Sequence, residues 1–216
     1  MKKSCTYLAA LLITVTACKK EDVKNESATT DSTTVATEKT ATEPAKPMDS
    51  VAMMEAWKAY ATPGDMQKLL AEESGNWSGE SKMWMDPTKA PEVTTMKGEL
   101  KMVLGGRYQE GKYTGTAMGA PFEGKGLVAY NNATGKFEQT WTDNMGTGIM
   151  FMTGTYDSAA KTITYSGECV DPATKQPKKI KQIYQIVDAN TRKLEGFDTG
   201  PDGKEYKTME ITMLRK

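Results

Sequence analysis

The segment Thr208-Met209-Glu210-Ile211-Thr212-Met213 alternates polar and apolar side chains, and Thr162-Ile163-Thr164-Tyr165 repeats the pattern. A period of two is typical of β-strands that bury one face, because successive side chains point to opposite sides of a sheet. From Trp77 onward, roughly ten such segments follow one another, with turn residues about every eight to twelve positions. No helical pattern of useful length separates them. The sequence therefore predicts an antiparallel sheet, either an up-and-down β-barrel or a sandwich.

The two ends of this strand-rich region favour the barrel. Gly75-Asn76-Trp77 at its start and Arg215 near its end resemble the Gly-x-Trp motif and closing arginine of the calycin superfamily, which includes lipocalins and fatty-acid-binding proteins. The resemblance implies that Arg215 packs on the Trp77 indole where the first and last strands meet, as a structural cation–π contact and not as a ligand site. We expect a mainly β protein, an antiparallel up-and-down β-barrel of about ten strands preceded by one or two short α-helices.

Two short helical segments precede the strands. The first begins near Pro47-Met48-Asp49-Ser50, and its apolar residues repeat at helical spacing on one face: Val51, Met54, Trp57 and Ala61. Pro63-Gly64-Asp65 interrupts the pattern. The second contains Met66, Leu69, Leu70 and Glu73, and Gly75 suits its C-terminal cap position. We expect the helices to plug a barrel end or to dock against the core; the alternative is that they form a lid over a pocket.

The first residues have the character of a secretory signal peptide. Lys2 and Lys3 precede an apolar stretch over residues 7–15, which is shorter than the roughly 20 residues that span a membrane. Ala17 stands directly before Cys18, and residues 15–18 resemble a bacterial lipobox. That resemblance implies cleavage after residue 17 and lipidation of Cys18. Because no aspartate follows Cys18 directly, we expect an outer-membrane lipoprotein; its periplasmic or surface face stays open.

Three segments follow from this interpretation. Residues 1–17 are the signal peptide, residues 18–48 are the lipidated cysteine and a tether rich in Ser, Thr, Glu and Lys, and residues 49–216 are the barrel domain with its helices. The tether has almost nothing apolar, as in Thr29-Thr30-Asp31-Ser32-Thr33-Thr34, so it cannot bury enough surface to offset the entropy of ordering. A flexible chain of about 30 residues would hold the domain roughly 30 Å from its lipid anchor.

Charge and histidine content exclude several functions. The 216 residues include 28 Lys and Arg against 28 Asp and Glu, without the dense basic run that nucleic-acid binders need, so we expect no nucleic-acid partner. The sequence contains no histidine. Ser-His-Asp and Cys-His catalysis, His-ligated zinc and His-ligated haem are therefore excluded, and we expect no cofactor. Since Cys5 leaves with the signal peptide and Cys18 carries lipid, Cys169 has no disulfide partner and is expected to be a small, partly buried residue.

Four separated segments carry a pattern of turns and glycines in a fixed order. They are Gly105-Gly106-Arg107-Tyr108 with Tyr113-Thr114-Gly115; Pro121-Phe122-Glu123-Gly124-Lys125-Gly126; Thr140-Trp141-Thr142-Asp143-Asn144-Met145-Gly146-Thr147-Gly148-Ile149; and Pro201-Asp202-Gly203-Lys204-Glu205-Tyr206-Lys207 with Met209-Glu210-Ile211. Together they resemble the bacterial family known as domain of unknown function 1579, over about residues 65–216. The resemblance implies a lipocalin-type barrel and carries over no catalytic residue. The related nitrobindin-like barrels hold haem through a histidine, which this sequence lacks.

Alternate residues of a small barrel point inward, and the larger apolar side chains indicate which set does so. One register places Trp141 inside together with Gln139 and Asp143. Another places Tyr184 inside together with Gln182. A polar minority in an apolar cavity is how ligand pockets are built. The alternative is that these polar groups lie at the barrel mouth or form hydrogen bonds in turns.

The same alternation gives a set of candidate ligand-binding residues. Arg107 shares a face with Gln109 and Tyr113. The residues that we predict to contact a ligand are Arg107, Tyr113, Phe122, Trp141, Asp143 and Met150. The 15 methionines suit a cavity that adapts to flexible acyl or ring ligands, although methionine also fills gaps in ordinary cores.

Two functions compete on this basis. The first is a lipid-anchored envelope protein that binds a small apolar or amphipathic ligand, which requires an internal cavity. The second is a filled barrel that acts in protein–protein interaction or adhesion, which requires an exposed apolar patch. A hydrolase ranks third, because Asp143, Asp198 and Asp202 form no local carboxylate cluster, and we expect no enzyme. The oligomeric state stays open.

Overall fold

Two helices precede ten strands in the computed structural model, which describes residues 49–200 and 203–216. The predicted signal peptide, the predicted lipidation site Cys18, the predicted tether and Asp202 lie outside the described residues. The helices are α1 (Ser50–Ala61) and α2 (Asp65–Ala71). The strands are β1 (Gly75–Met83), β2 (Glu92–Val103), β3 (Tyr108–Ala117), β4 (Ala120–Asn131), β5 (Lys136–Asp143), β6 (Met150–Asp157), β7 (Thr162–Val170), β8 (Pro177–Asp188), β9 (Thr191–Thr199) and β10 (Glu205–Arg215).

The strands form one closed antiparallel barrel, which confirms the predicted fold class. Each strand pairs with its neighbours along the chain, and β1 completes the ring by pairing with β10. In that last pair, Trp77 lies opposite Arg215 and Met83 lies opposite Met209. Closure leaves none of the described strands with an unpaired edge, which removes the usual site of strand-to-strand aggregation.

The up-and-down order gives the barrel two different ends. α2 leads into β1, so it lies at the end where β1 begins and where β2, β4, β6 and β8 finish; we call this the helix end. The loops after β1, β3, β5, β7 and β9 gather at the opposite end, which we call the open end.

α2 closes the helix end by burying one face. Leu70 is buried in a hydrophobic cluster that includes Phe137. Gln67, also buried, donates from Nε2 to the backbone oxygen of Tyr130 at 3.0 Å, while its Oε1 accepts from the N–H of Gly64 at 2.8 Å. α2 therefore plugs a barrel end, which is the first of the two arrangements expected from the sequence.

α1 does not dock as its helical spacing predicts. The helix has no buried residue, and the side chains of Val51, Met54 and Trp57 are 65%, 73% and 64% exposed. The prediction that these residues pack against the core is wrong. α1 meets the barrel at its C-terminal end, where Asn132 donates from Nδ2 to the carbonyl oxygen of Thr62 at 2.9 Å. The apolar face before this contact turns to solvent.

Gly75 has a different role from the helix cap that the sequence suggests. α2 ends at Ala71 with Glu72 in the cap position, and Gly75 is the first residue of β1. Its φ of 131° is one that residues with a Cβ rarely adopt. Glycine is thus required where the chain turns from the plug into the barrel wall.

The seam between β1 and β10 is held by an arginine on an indole. The guanidinium carbon of Arg215 lies 4.4 Å from the ring centroid of Trp77. Arg215 also donates from Nη1 to the carbonyl oxygen of Ser74 at 2.8 Å and from Nη2 to that of Glu72 at 2.6 Å. The closing arginine thereby joins the last strand to the segment that follows α2.

The barrel interior contains two clusters of buried apolar residues. The first consists of Leu70, Phe137, Met152, Ile163 and Tyr165. The second consists of Trp77, Met96, Leu100 and Met213. The first lies mainly on β5 to β7 beneath α2, and the second lies around the β1–β10 seam. The two clusters do not fill the interior, and an open space remains between them.

Candidate ligand-binding cavity

A cavity of about 360 Å³ lies inside the barrel and is lined by members of both clusters. It is closed at the helix end by Leu70 of α2 and by Glu73, which follows the helix. At the open end the lining includes Met85, Met118 and Met145, whose side chains are exposed to solvent. The cavity is therefore accessible at the open end and blocked at the other. Its walls are mostly apolar, with a few polar groups at separate levels.

Three aromatic rings form one wall of the cavity. The rings of Tyr113 and Trp141 are 5.3 Å apart between centroids, and those of Phe122 and Trp141 are 6.4 Å apart and nearly parallel at 17°. Trp141 lies against the backbone of β4 because two glycines leave room for it. A Cβ on Gly124 would lie 2.5 Å from Trp141 Cζ2, and one on Gly126 would lie 3.4 Å from Cε3.

Asp143 orients this indole. Its Oδ2 accepts from Trp141 Nε1 at 2.7 Å, and its Oδ1 accepts from the N–H of Met145 at 2.9 Å. The carboxylate thus fixes both the tryptophan and the first residues of the loop at the open end. Trp141 Nε1 is occupied by this bond, so the indole offers a ligand its ring and not its donor.

Methionines line much of the cavity. Met83, Met85, Met118 and Met145 lie toward the open end, and Met96, Met150, Met209 and Met213 lie on the strands. Unbranched thioether side chains repack at low cost around ligands of different outline. The mouth is therefore apolar and deformable.

The closed end of the cavity carries a buried ion pair. Glu73 Oε1 accepts from Arg192 Nε at 2.7 Å, and the two side chains are 4% and 6% exposed. The same oxygen accepts from the hydroxyl of Tyr184 at 2.8 Å, and Oε2 accepts from Gln109 Nε2 at 3.2 Å. Arg192 also donates from Nη1 to the carbonyl oxygen of Thr191 at 3.0 Å. The two buried charges therefore neutralise each other, and hydrogen bonds from within the protein satisfy both groups.

Three tyrosines near this ion pair hold their protons strongly. Burial raises the pKa of Tyr113, Tyr165 and Tyr184 above the ordinary value of 10.0, and the negative charge of Glu73 raises each further. All three therefore present neutral hydroxyl groups at physiological pH. None of these three tyrosines is therefore ionised and able to act as a base at that pH.

A hydrogen bond between two glutamines crosses the interior. Gln139 of β5 donates from Nε2 to Oε1 of Gln182 of β8 at 2.7 Å. Gln139 Nε2 also lies 3.3 Å from the sulfur of Met152, which is fully buried. Both glutamines line the cavity. Among the described residues, this is the only side-chain hydrogen bond between the ion pair and the mouth that joins strands which are not neighbours.

Most of the predicted ligand-binding residues come together in this cavity. Tyr113, Phe122, Trp141, Asp143 and Met150 all contribute to its lining. Gln139, Gln182 and Tyr184, which the alternation places inside, are there as well. Contact with a ligand stays a prediction for each of them.

Arg107 does not share that face. It is exposed in the β2–β3 turn at the helix end, where its Nη1 donates to the carbonyl oxygens of Leu104 and Gly105 at 3.3 and 3.4 Å. Gly105 has a φ of 67°, so the chain reverses there and β3 starts only at Tyr108. Extending the strand alternation back to Arg107 was wrong because the residue precedes the strand.

The ion pair of the cavity is not evident from local sequence patterns. Glu73 continues the α2 pattern and resembles an ordinary helix-surface carboxylate, while its partner Arg192 lies 119 positions away. One signal was present: Arg192 stands two residues before Leu194 in β9, in phase with its inward face. An arginine in an inward position requires a buried partner.

The other polar candidates lie away from the cavity or are already paired. Asp198 bonds to Lys178 Nζ at 2.6 Å. Burial raises the pKa of the half-buried Cys169 thiol, so it is protonated at neutral pH. Within residues 49–200 and 203–216, no group of three or more Cys, Asp and Glu side chains is placed to hold a metal ion. Neither described helix is long and apolar enough to cross a bilayer.

A closed antiparallel barrel around a cavity that opens at one end defines a lipocalin-like class of protein. The chain belongs to the family described as protein of unknown function (DUF1579), whose model matches residues 62–215. The match confirms the family that the four sequence segments indicate. Its description names no activity.

The chain is similar to solved structures at low sequence identity. The structure of Rv2717c from M. tuberculosis matches with 15% identity and a TM-score of 0.55, covering 72% of this chain and 99% of that chain. The S-type phycobiliprotein lyase CPES from Guillardia theta matches with 9% identity and a TM-score of 0.49, covering 71% of this chain and 93% of that chain. No curated protein matches the sequence.

Proposed function

We propose that the protein is a lipid-anchored binding protein of the cell envelope that holds a small apolar or amphipathic ligand in its barrel. The observation that carries the proposal is the cavity of about 360 Å³, which is mostly apolar and open at one end. Ligand pockets of proteins commonly enclose about 300–1,000 Å³ with apolar walls and a few polar groups. A barrel filled for stability alone would pack without such a space.

The polar groups of the cavity support binding more than catalysis. Glu73 and Arg192 neutralise each other, and Asp143 is engaged by Trp141. Tyr113 and Tyr184 are kept neutral. The carboxylates of Glu73 and Asp143 are thus engaged by protein partners and the two tyrosines keep their protons, which suits a fixed binding wall. A hydrolase would need a base free to accept a proton.

Membrane attachment rests on the sequence. Lipidation at Cys18 and a flexible tether over the following residues would keep the barrel close to the outer membrane, on its periplasmic or surface side. Such a position suits a protein that takes apolar molecules from, or delivers them to, a membrane. We propose no nucleic-acid partner, in keeping with the balanced charge.

Native mass spectrometry tests the binding proposal directly. The mature chain from residue 18, carrying Cys18→Ser to avoid lipid, would be purified without detergent, and any retained molecule would be extracted and identified. We expect a stoichiometric apolar or amphipathic compound. Trp141→Ala should lose it, while Trp57→Ala on the exposed α1 should retain it. An unliganded mass that does not shift after incubation with a membrane-lipid extract contradicts the proposal.

One observation favours the interaction module as a second candidate. α1 exposes Val51, Met53, Met54, Trp57 and Tyr60 on a helix that packs little against the barrel. A photo-crosslinking residue at position 57 should then capture a partner protein in cells. The same residue placed at Lys97, on the barrel exterior, should not. Equal labelling at both positions contradicts a specific surface on α1.

A further inference from the structure

The glutamine pair of the cavity leaves two polar atoms without protein partners. Gln139 Nε2 donates to Gln182 Oε1, and no other side-chain hydrogen bond of Gln182 exists among the described residues. Gln139 Oε1 likewise accepts from no described residue. One acceptor and one donor of the pair are therefore free.

The sulfur of Met152 fixes which atoms these are. A thioether sulfur accepts hydrogen bonds and cannot donate one. The Gln139 atom 3.3 Å from that sulfur must therefore be the nitrogen, because an oxygen there would face another acceptor. Both hydrogens of Gln139 Nε2 are then used, one on Met152 and one on Gln182. Gln139 Oε1 and Gln182 Nε2 remain as the free acceptor and donor.

Both free atoms have access to the cavity. Gln139 and Gln182 line it. Among the described residues, every side-chain nitrogen and oxygen that is shielded from solvent has a hydrogen-bond partner. An atom without a partner must therefore reach open space, and for side chains of the lining that space is the cavity. An unpaired donor and acceptor in an apolar cavity are costly unless a water or ligand completes them.

Charge narrows the chemistry of the ligand further. The two cationic side chains of the lining are already paired with carboxylates: Arg192 with Glu73 at 2.7 Å, and Lys193 with Glu195 at 3.5 Å. An anionic head group would find no uncommitted cation inside the barrel. A neutral polar group avoids the cost of burying a charge that has no counter-charge.

Resting on the proposed binding function, we propose that the ligand carries a neutral amide or lactam group, a carbonyl beside an N–H, that is recognised by the two glutamines. The ligand N–H donates to Gln139 Oε1, and its carbonyl accepts from Gln182 Nε2. Trp141 stands two residues beyond Gln139 on the same inward face of β5, so a ring fused to the lactam lies against the aromatic wall.

Three ligands of nearly equal shape test the proposal. Phenanthridin-6(5H)-one carries the lactam, phenanthrene lacks any polar group, and phenanthrene-9-carboxylate carries a negative charge. Each is measured by equilibrium dialysis against the mature chain from residue 18 with Cys18→Ser. We expect the lactam to bind roughly tenfold more tightly than phenanthrene, as two modest hydrogen bonds would give. The carboxylate should bind more weakly than either.

A matched pair of variants isolates the glutamine. Gln182→Met keeps an unbranched side chain of similar length and removes both the free donor and the oxygen that accepts from Gln139. It should lower lactam affinity roughly tenfold and leave phenanthrene affinity unchanged. Gln185→Met, on the same strand outside the lining, should leave both affinities unchanged. Thermal unfolding of both variants checks that the barrel is intact.

The outcomes separate this inference from the binding function itself. Equal affinities for the lactam and phenanthrene, or equal losses for both in Gln182→Met, overturn the lactam assignment while apolar binding stands. Tightest binding of the carboxylate overturns it too. Failure of all three ligands to bind contradicts the proposed function along with the lactam assignment.

Discussion

Glu73 connects the plug, the barrel wall and the cavity through one carboxylate. It follows α2 in the chain, pairs with Arg192 of β9, and accepts from Tyr184 of β8. Its backbone oxygen also accepts from Trp77 Nε1 at 2.8 Å. A buried ion pair is a modest source of net stability, but removing one partner leaves an uncompensated charge in the interior. Its strongest effect is therefore seen when only one partner is changed.

Arg192→Met should destabilise the barrel by about 3–5 kcal/mol, because it leaves the Glu73 carboxylate buried without a counter-charge. Urea unfolding followed by circular dichroism measures the change. Lys68→Met breaks the exposed pair with Asp65 and is the matched control, which should keep the wild-type midpoint. Equal midpoints for the wild type and Arg192→Met would contradict the role given to the pair.

The buried tyrosines predict a loss of stability in alkaline solution. The pKa values of Tyr113, Tyr165 and Tyr184 are raised in the folded protein, whereas those of the unfolded chain stay near 10.0. Below pH 10 both states hold these protons, and stability is unaffected. Above pH 10 the unfolded chain releases protons that the folded barrel keeps, so stability falls by up to about 1.4 kcal/mol per pH unit for each tyrosine.

Urea midpoints measured between pH 8 and pH 11.5 check this dependence. Tyr165→Phe removes one of the three groups and should make the decline above pH 10 shallower. A midpoint that stays level across the range, or a decline that begins well below pH 9, would show that other groups control alkaline unfolding.

At the scale of elements, the two helices show that apolar residues at helical spacing are not always buried. Both have apolar residues in helical phase, yet α2 buries Leu70 and Gln67 while α1 buries none of its residues. Periodicity identifies the apolar side of a helix but not the surface that covers it. That information lies in contacts such as Gln67 with Tyr130, 63 positions apart.

Leu70→Ala should cost about 2–5 kcal/mol, because it opens a space under α2 that the packed cluster cannot fill. Met54→Ala on the exposed side of α1 should change stability by less than about 0.5 kcal/mol. Both are measured by chemical unfolding of the mature chain. Similar losses in the two variants would mean that α1 is covered in solution.

The packing of Trp141 against β4 predicts that two glycine substitutions differ in their effect on stability. Gly124→Ala places a methyl group 2.5 Å from a rigid indole and should cost about 1–3 kcal/mol while displacing the aromatic wall. Gly148→Ala has open space around its new Cβ and should be neutral. Tryptophan emission and urea midpoints check both variants. An unchanged emission spectrum in Gly124→Ala would contradict the close packing of Trp141 on Gly124.

Local patterns predict the strands well and the cavity partly. Alternation and turn residues give the ten strands, and the phase of β5 places Gln139, Trp141 and Asp143 inside. Arg107 was misplaced because it lies directly before β3 begins, and the alternation holds only within the strand. The bond between Gln139 and Gln182 was not predicted, because strands that are not neighbours meet only once the barrel curvature is known.

At the scale of the whole molecule, the barrel has one blocked and one accessible end. The plug and the C-terminal Arg215 share the blocked end, where Arg215 bonds to Ser74 and Glu72.

Lipidation of Cys18 is tested by metabolic labelling with palmitate. We expect the wild-type chain to incorporate the label and Cys18→Ser to lose it and to remain unprocessed. Cys5→Ser, which changes the other cysteine of the predicted signal region, should be labelled normally. Label in Cys18→Ser would place the acyl group on a different residue.

The pairing of β1 with β10 also sets the order in which the protein can fold. Its closing contacts join residues as far apart as Arg215 and Ser74, which are separated by 141 positions. Contacts of such long range form slowly, because the loop entropy is lost before the contact energy is gained. The ring cannot close until the last strand is available to pair with β1. Until then β1 has an unpaired edge, which is the usual site of strand-to-strand aggregation.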